Sequence, residues 1–341
     1  MPPVKMKAPW PLHRVVLACL VTGIASYVVA RSCAGVGRAV PPNNQQRDHS
    51  IRSLRLNYLK FTHPLLLVDR NSEGVDLQPL KFDLSEQING FTKDGSTKVS
   101  VYIRDFRSGE WMGIGENENY DPASISKLAI FMGILKMEHY KPGTLDSLIS
   151  YTEPLNLPTQ NTIRSSTLTF GRDYTVRELL EQMIVHSNNE ANALLNQFIP
   201  EQYFSDVFRS LDLPVPDKST AVYNLTAKDV SKFLRVLYNA TYVNAELSEY
   251  ALELLTKTKF SEGLKAGLPD GTVISHKFGE RNIAGSGVFQ LHETGIVYKG
   301  TQNYLITVLT MGNDAEKLKK IVSSLSASTF SYFDETGKTI Q

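Results

Sequence analysis

The segment Asp121–Tyr140, DPASISKLAIFMGILKMEHY, constrains this chain more than any other. Pro122 suits the first turn of a helix, where it has no needed N–H to lose. Leu128, Ile130, Phe131, Ile134 and Leu135 then make the segment apolar on most sides, which predicts a buried helix. Yet Ser124 and Lys127 stand at its head, one turn inside the N-terminus and three residues apart, on one face. A buried lysine is costly unless paired. Desolvation and the positive end of the helix dipole both favour a neutral amine, and such an amine can take a serine's proton. A capping serine followed by a snorkelling lysine would place the same two residues without chemistry, and S-x-x-K is a short pattern.

Composition narrows the alternatives. The 341-residue chain carries a formal net charge of +1, so no nucleic-acid partner is implied. Both cysteines, Cys19 and Cys33, lie near the start, which leaves the rest without a disulfide, a cysteine metal site or a cysteine nucleophile. The seven histidines form no pair of the H-E-x-x-H kind, and no metal or cofactor is implied.

Three regions follow from the distribution of charge and apolar residues. Residues 1–33 hold Lys5, Lys7 and Arg14, then the uncharged run Val15–Ala30. They read as an N-terminal membrane anchor, with a cleaved secretory signal as the alternative. Residues 34–50 are polar with a Pro pair and read as a flexible linker. Residues 51–341 form the folded domain. Within it, Leu54–Val68 reads as a strand or lead-in, Leu77–Phe91 as a helix, and Lys98–Phe106 with Glu110–Ile114 as a hairpin. Residues 141–173 read as loops and short helices.

Thr175 opens a capping box with Glu178, and the helix it starts ends at His186. Ser187-Asn188-Asn189 turns the chain into a second helix, Glu190–Phe198. Helices are further expected at Phe204–Leu211, Thr226–Tyr238 and Ser248–Lys257. Strands are expected at Thr272–Phe278, Gly295–Tyr298 and Tyr304–Thr310, and a closing helix at Asp314–Phe333. Strands at both ends around a helical block predict an α+β fold: one antiparallel sheet flanked by terminal helices, with an inserted all-helical subdomain.

Ser124-Ile125-Ser126-Lys127, Ser187-Asn188-Asn189 and Lys277-Phe278-Gly279 stand in a telling order. Together they resemble the S-x-x-K, S-D-N and K-T-G set of class A β-lactamases and penicillin-binding proteins. The flanking text, YTVRELLEQMIVHSNNEANALL and GLPDGTVISHKFGE, is similar to that family as well, and the resemblance covers about residues 52–333. It implies a β-lactamase/transpeptidase-like fold and a serine hydrolase acting on a β-lactam or a peptidoglycan stem peptide outside the membrane. The alternatives are a D,D-carboxypeptidase-like enzyme and a non-catalytic cell-wall-binding or β-lactam-sensing domain.

Carried over residue by residue, the resemblance makes Ser124 the nucleophile and Lys127 the amine that takes its proton. Ser187 passes a proton to the leaving nitrogen. Asn189 holds the substrate's amide carbonyl. Lys277 supports the substrate carboxylate and the relay. Gly279 lets substrate approach the strand, and the backbone N–H groups of Ser124 and Glu280 form the oxyanion hole.

The chain departs from the pattern in three places. Asn188 replaces the aspartate of S-D-N. Phe278 replaces the hydroxyl residue of K-T-G, removing a donor for a substrate carboxylate; Arg281 and His292 could substitute, but both read as ordinary surface residues. Leu213–Tyr223 lacks the glutamate of the family's E-x-x-L-N loop, with Asp217 its one acid, so deacylation of β-lactams is expected to be slow.

Overall fold

The computed structural model describes residues 60–62, 74–155, 157, 168–217, 223–283 and 285–338. The anchor and linker readings, most of Leu54–Val68 and part of the 213–223 loop lie outside the described residues. Among the described residues, no helix is long and apolar enough to cross a membrane.

Helix α1 (Gln78–Thr92) leads into β1 (Lys98–Asp105) and β2 (Trp111–Ile114). A 3₁₀ turn, Ala123–Ser126, then enters α2 (Lys127–Tyr140). Two short strands follow, β3 (Leu148–Ser150) and β4 (Asp173–Thr175). After them come α3 (Val176–Val185), α4 (Asn189–Phe198), α5 (Glu201–Ser210), α6 (Ala227–Tyr238) and α7 (Ala245–Thr256). The chain closes with β5 (Val273–Ile283), β6 (Val288–Tyr298), β7 (Tyr304–Gly312) and α8 (Ala315–Lys338).

The five-stranded sheet has the order β2-β1-β7-β6-β5, antiparallel throughout. Its two faces feed two cores, because successive side chains on a strand point to opposite sides. Val99, Val101 and Ile103 of β1 join Ile306 and Val308 of β7 against Leu80 and Leu84 of α1 and Leu318, Ile321 and Leu325 of α8. Tyr102, Leu305 and Leu309 point the other way, into the core shared with α2 through α7. The expected α+β architecture is therefore the one observed, with the helical block inserted between β2 and β5.

Local signals held where a side chain closes a helix end. Thr175 accepts from Glu178 N and Thr226 from Asp229 N, each with the reciprocal bond of a capping box. Asn244 caps α7 through Leu247 N, starting it three residues before Ser248. Pro200, at the N-cap, likewise starts α5 ahead of Phe204.

The strands correct the sequence reading more. Strand β5 does not stop before Gly279 but runs on to Ile283, and β6 begins at Val288, not Gly295. Their pairing is continuous from Val273↔Tyr298 to Ile283↔Val288. Backbone bonds carry this hairpin through a stretch whose polar side chains give no strand signal. Leu148–Ser150 and Asp173–Thr175, read as loop and helix start, pair as a two-stranded ribbon.

Candidate active site

The turn that carries Ser124 is held from three directions. Tyr120 pairs with Leu225 as an isolated bridge. Asp121 accepts the Ala123 N–H at 2.9 Å through Oδ1 and binds the Arg281 guanidinium through Oδ2. His292 accepts the Thr310 N–H at Nδ1 (3.2 Å), so its Nε2–H donates to Asp121 O and Gln290 Oε1, each at 3.0 Å. Burial holds the His292 imidazole neutral, with its pKa lowered to about 4. Ala123 is left-handed at φ 48°, a strained state for a residue with a Cβ, and it aims the chain into the 3₁₀ turn. Ser124 thus sits in that turn and Lys127 is the first residue of α2, a correction to the reading that placed both inside the α-helix.

His292 also corrects the sequence reading. His292 is completely buried, whereas Arg281 is exposed as expected and pairs with Asp121 at the surface. Both brace the nucleophile's turn, because β5 and β6 extend far enough to place them under it.

At the other side of Ser124 a chain of polar groups crosses the site. The corner between α3 and α4 is set by Ser187, left-handed at φ 53°, and by Asn188, whose Oδ1 accepts from Ala191 N at 2.8 Å. Asn188 therefore caps α4 as an aspartate would. Lys127 Nζ reaches Ser187 O (2.5 Å), Asn189 Oδ1 (2.8 Å) and Ser187 Oγ (3.2 Å). Lys277 Nζ reaches the same Ser187 Oγ at 3.0 Å and Phe278 O at 2.7 Å. No hydrogen bond joins Lys127 Nζ to Ser124 Oγ among the described residues; the amine is turned to the Ser187–Asn189 corner.

The charge states follow from burial. Lys127 is 2% exposed; desolvation first, then the Lys277 ammonium, hold its pKa well below the ordinary lysine range, against a smaller opposing pull from Glu280. A neutral amine that donates to the two carbonyl oxygens keeps a lone pair for the Ser187 hydroxyl or for an incoming proton. Lys277 is lowered to about 7 by desolvation, with Glu293 and Glu280 acting to keep it charged.

Strand β5 is the outer strand of the sheet beside the Ser124 turn. A Cβ on Gly279 would lie 2.9 Å from Ile125 N and Pro122 O and 3.0 Å from Ser124 N. Only glycine lets the strand lie flush there, and it brings the Glu280 backbone beside the serine. Phe278 turns away into the sheet-side core and stacks on Phe260 with centroids 4.5 Å apart. The structure thus gathers Ser124, Lys127, Ser187, Asn189, Lys277, Gly279 and Glu280 around one site. Asp121 and Glu293 were missed by sequence reasoning. The signal for Glu293 was the set Gln290, His292, Glu293 and Thr294, polar residues that sit within a buried strand. Among the described residues no group of three His, Cys, Asp or Glu is placed to hold a metal ion.

Fold and site together define an α+β protein of the β-lactamase/transpeptidase-like class. A mutant of PBP-A in an acyl-enzyme complex with penicillin G superposes with a TM-score of 0.65 at 16% identity, over 79% of this chain and 100% of that one. A β-lactamase from Chitinophaga pinensis gives 0.65 at 16% identity, over 73% and 98%. A class A β-lactamase from Mycobacterium abscessus gives 0.61 at 20% identity, over 74% and 99%. No curated protein matches the chain by sequence. Residues 83–333 match the Beta-lactamase enzyme family, and the chain belongs to that family.

Proposed function

We propose that this protein is a serine hydrolase that forms an acyl-enzyme on Ser124 with a β-lactam or a D-alanyl-peptide amide. The observation that carries the reading is Ser187 Oγ, held between two buried lysines, 3.2 Å from one and 3.0 Å from the other. Ser124 Oγ adds to the amide carbon while Lys127 Nζ takes its proton, after a rotation that brings amine and hydroxyl together. The oxyanion is met by the backbone N–H groups of Ser124 and Glu280, which Gly279 brings side by side. The proton then passes through Ser187 Oγ to the leaving nitrogen, the C–N bond breaks, and an ester on Ser124 remains. Asn189 holds the substrate's amide group, and Lys277 keeps the Ser187 hydroxyl oriented.

Water must then cleave the ester. The 213–223 segment offers no glutamate to activate it, which favours slow deacylation of β-lactams. The same feature favours a second reading, a D,D-carboxypeptidase-like or β-lactam-sensing protein of the cell wall. The PBP-A mutant named above is itself an acyl-enzyme with penicillin G. The N-terminal apolar run supports a membrane-anchored protein with its site outside the membrane.

Intact-mass measurement of the full-length chain with a penicillin, beside Ser124→Ala, tests this. A Ser124 adduct that persists for many minutes is the expected result. A short-lived adduct with drug hydrolysis would make the protein an efficient β-lactamase, and no adduct on a folded chain would overturn the acyl-enzyme reading.

A further inference from the structure

The two donors that meet the oxyanion come from different elements. Ser124 N belongs to the 3₁₀ turn and Glu280 N to β5. Such a pair works only while its separation is fixed, because both N–H groups must reach one oxygen. Something must therefore hold the turn against the strand.

Glu280 is flanked by the two residues that meet the turn. Residues two apart on a strand share a face, so Gly279 and Arg281 both look towards it. Gly279 approaches so closely that a Cβ would lie 2.9 Å from Pro122 O and 3.0 Å from Ser124 N. Arg281 binds Asp121 Oδ2. The same Asp121 accepts the Ala123 N–H through Oδ1 at 2.9 Å, and its carbonyl accepts from His292 Nε2 at 3.0 Å. His292 stands directly opposite Gly279 in the β5–β6 pairing, and Gln290, its other partner, opposite Arg281. Asp121 is thus tied to β5 and β6 beside Glu280, and to the residue that precedes Ser124.

Ala123 is where this tie matters. Its left-handed backbone, φ 48°, persists only where the surroundings impose it, and the N–H that Asp121 holds is its own. An Asp121 side chain without Arg281 is free to rotate, and Ser124 N can then move away from Glu280 N. Arg281 is exposed and Asp121 partly so, and a pair of that kind adds little to stability. What it contributes is placement.

We propose that the Asp121–Arg281 pair sets the spacing of the oxyanion hole by locking the Ser124 turn to β5, which makes both of them positioning residues for acylation. The proposal rests on the acyl-enzyme reading above. Arg281 acts on the reaction through Asp121 and not by touching substrate.

Acylation of the full-length chain by benzylpenicillin is followed by intact mass, and the infrared carbonyl band of the Ser124 ester is recorded on the adduct. Arg281→Gln and Asp121→Asn should each slow acylation by about ten-fold, less than the roughly hundred-fold or more that follows outright loss of an oxyanion donor. Combined, they should cost no more than either alone, because they break one link. Arg281→Lys keeps the charge and should recover most of the rate. In the two slow variants the ester band should move to higher frequency, the mark of weaker hydrogen bonds to its oxygen; loss of a purely structural contact would lower the melting temperature and leave the band in place. Because Arg281 is exposed, Arg281→Gln carries the test if Asp121→Asn does not fold. Additive losses, or a slow Arg281→Gln beside an unaffected Asp121→Asn, would mean that Arg281 meets substrate directly and would overturn the proposal. An adduct whose rate and band ignore both substitutions overturns this inference alone. Absence of any adduct on the folded, unmodified chain overturns the acyl-enzyme reading, and this inference with it.

Discussion

Lys127 and Lys277 are both buried and both reach Ser187 Oγ, yet the protein treats them differently. Lys127 heads an apolar helix, its strongest neighbours being carbonyl oxygens and another cation; everything except Glu280 favours the free amine. Lys277 lies on a strand, facing Thr294 across the pairing, and its titration falls to about 7, with Glu293 and Glu280 opposing the desolvation. Both side chains are pushed down by burial, but a neighbouring cation adds to the push at Lys127 while two carboxylates oppose it at Lys277. Burial supplies the downward push in both cases, and the placement of two carboxylates decides how far it goes.

Replacing each lysine by arginine breaks the comparison most sharply. An arginine cannot act as a base, so Lys127→Arg should lower acylation by roughly a thousand-fold, within the range spanned by lost general-base catalysis. Circular dichroism would confirm the fold, and unchanged acylation would remove Lys127 from the proton transfer. Lys277→Arg keeps a cation beside Ser187 and should cost clearly less than Lys127→Arg. Equal losses in the two variants would show that both lysines do the same work.

The pH dependence sharpens the comparison further. Acylation needs Lys127 neutral and Lys277 protonated, so it should fall as pH rises through about 7 and fall again on the acid side as Lys127 protonates. A rate–pH profile of adduct formation measures both limbs. Stability carries the same signature with a different sign. Both lysines titrate lower in the folded chain than in the unfolded one, so between about 7 and 10.5 the unfolded chain binds more protons at position 277 and stability rises with pH. Chemical denaturation across that window should show a shallower slope for Lys277→Met. The smallest effect lies away from the site: Thr226→Ala removes one half of a capping box and should cost about 1 kcal/mol of stability, with acylation unaltered.

The helical half of the protein was the more legible. Thr175, Thr226 and the apolar faces of α3 and α6 write their structure into a few neighbouring residues, since capping and i, i+4 packing are local. The sheet was less so. Nothing in Glu280-Arg281-Asn282 spells a strand, and the bonds that make it one come from β6. That is why His292 read as a surface residue while the structure buries it under the Ser124 turn, and why the pairing of the exposed Arg281 with Asp121 was not legible.

By itself, the order of residues determined that a serine and a lysine would stand together at the entry to a greasy helix, that a serine–asparagine corner would join two capped helices, and that an α+β domain would enclose them. Tertiary structure decided the rest. It brought Lys277 to the hydroxyl that Lys127 already touches, turned Phe278 into the core, and set Glu293 across the strand pair. These outcomes depend on groups remote in the chain meeting in a space without water, where a single carboxylate or ammonium changes the charge of its neighbour. No local pattern encodes such a meeting, because its energy exists only after the strands have paired.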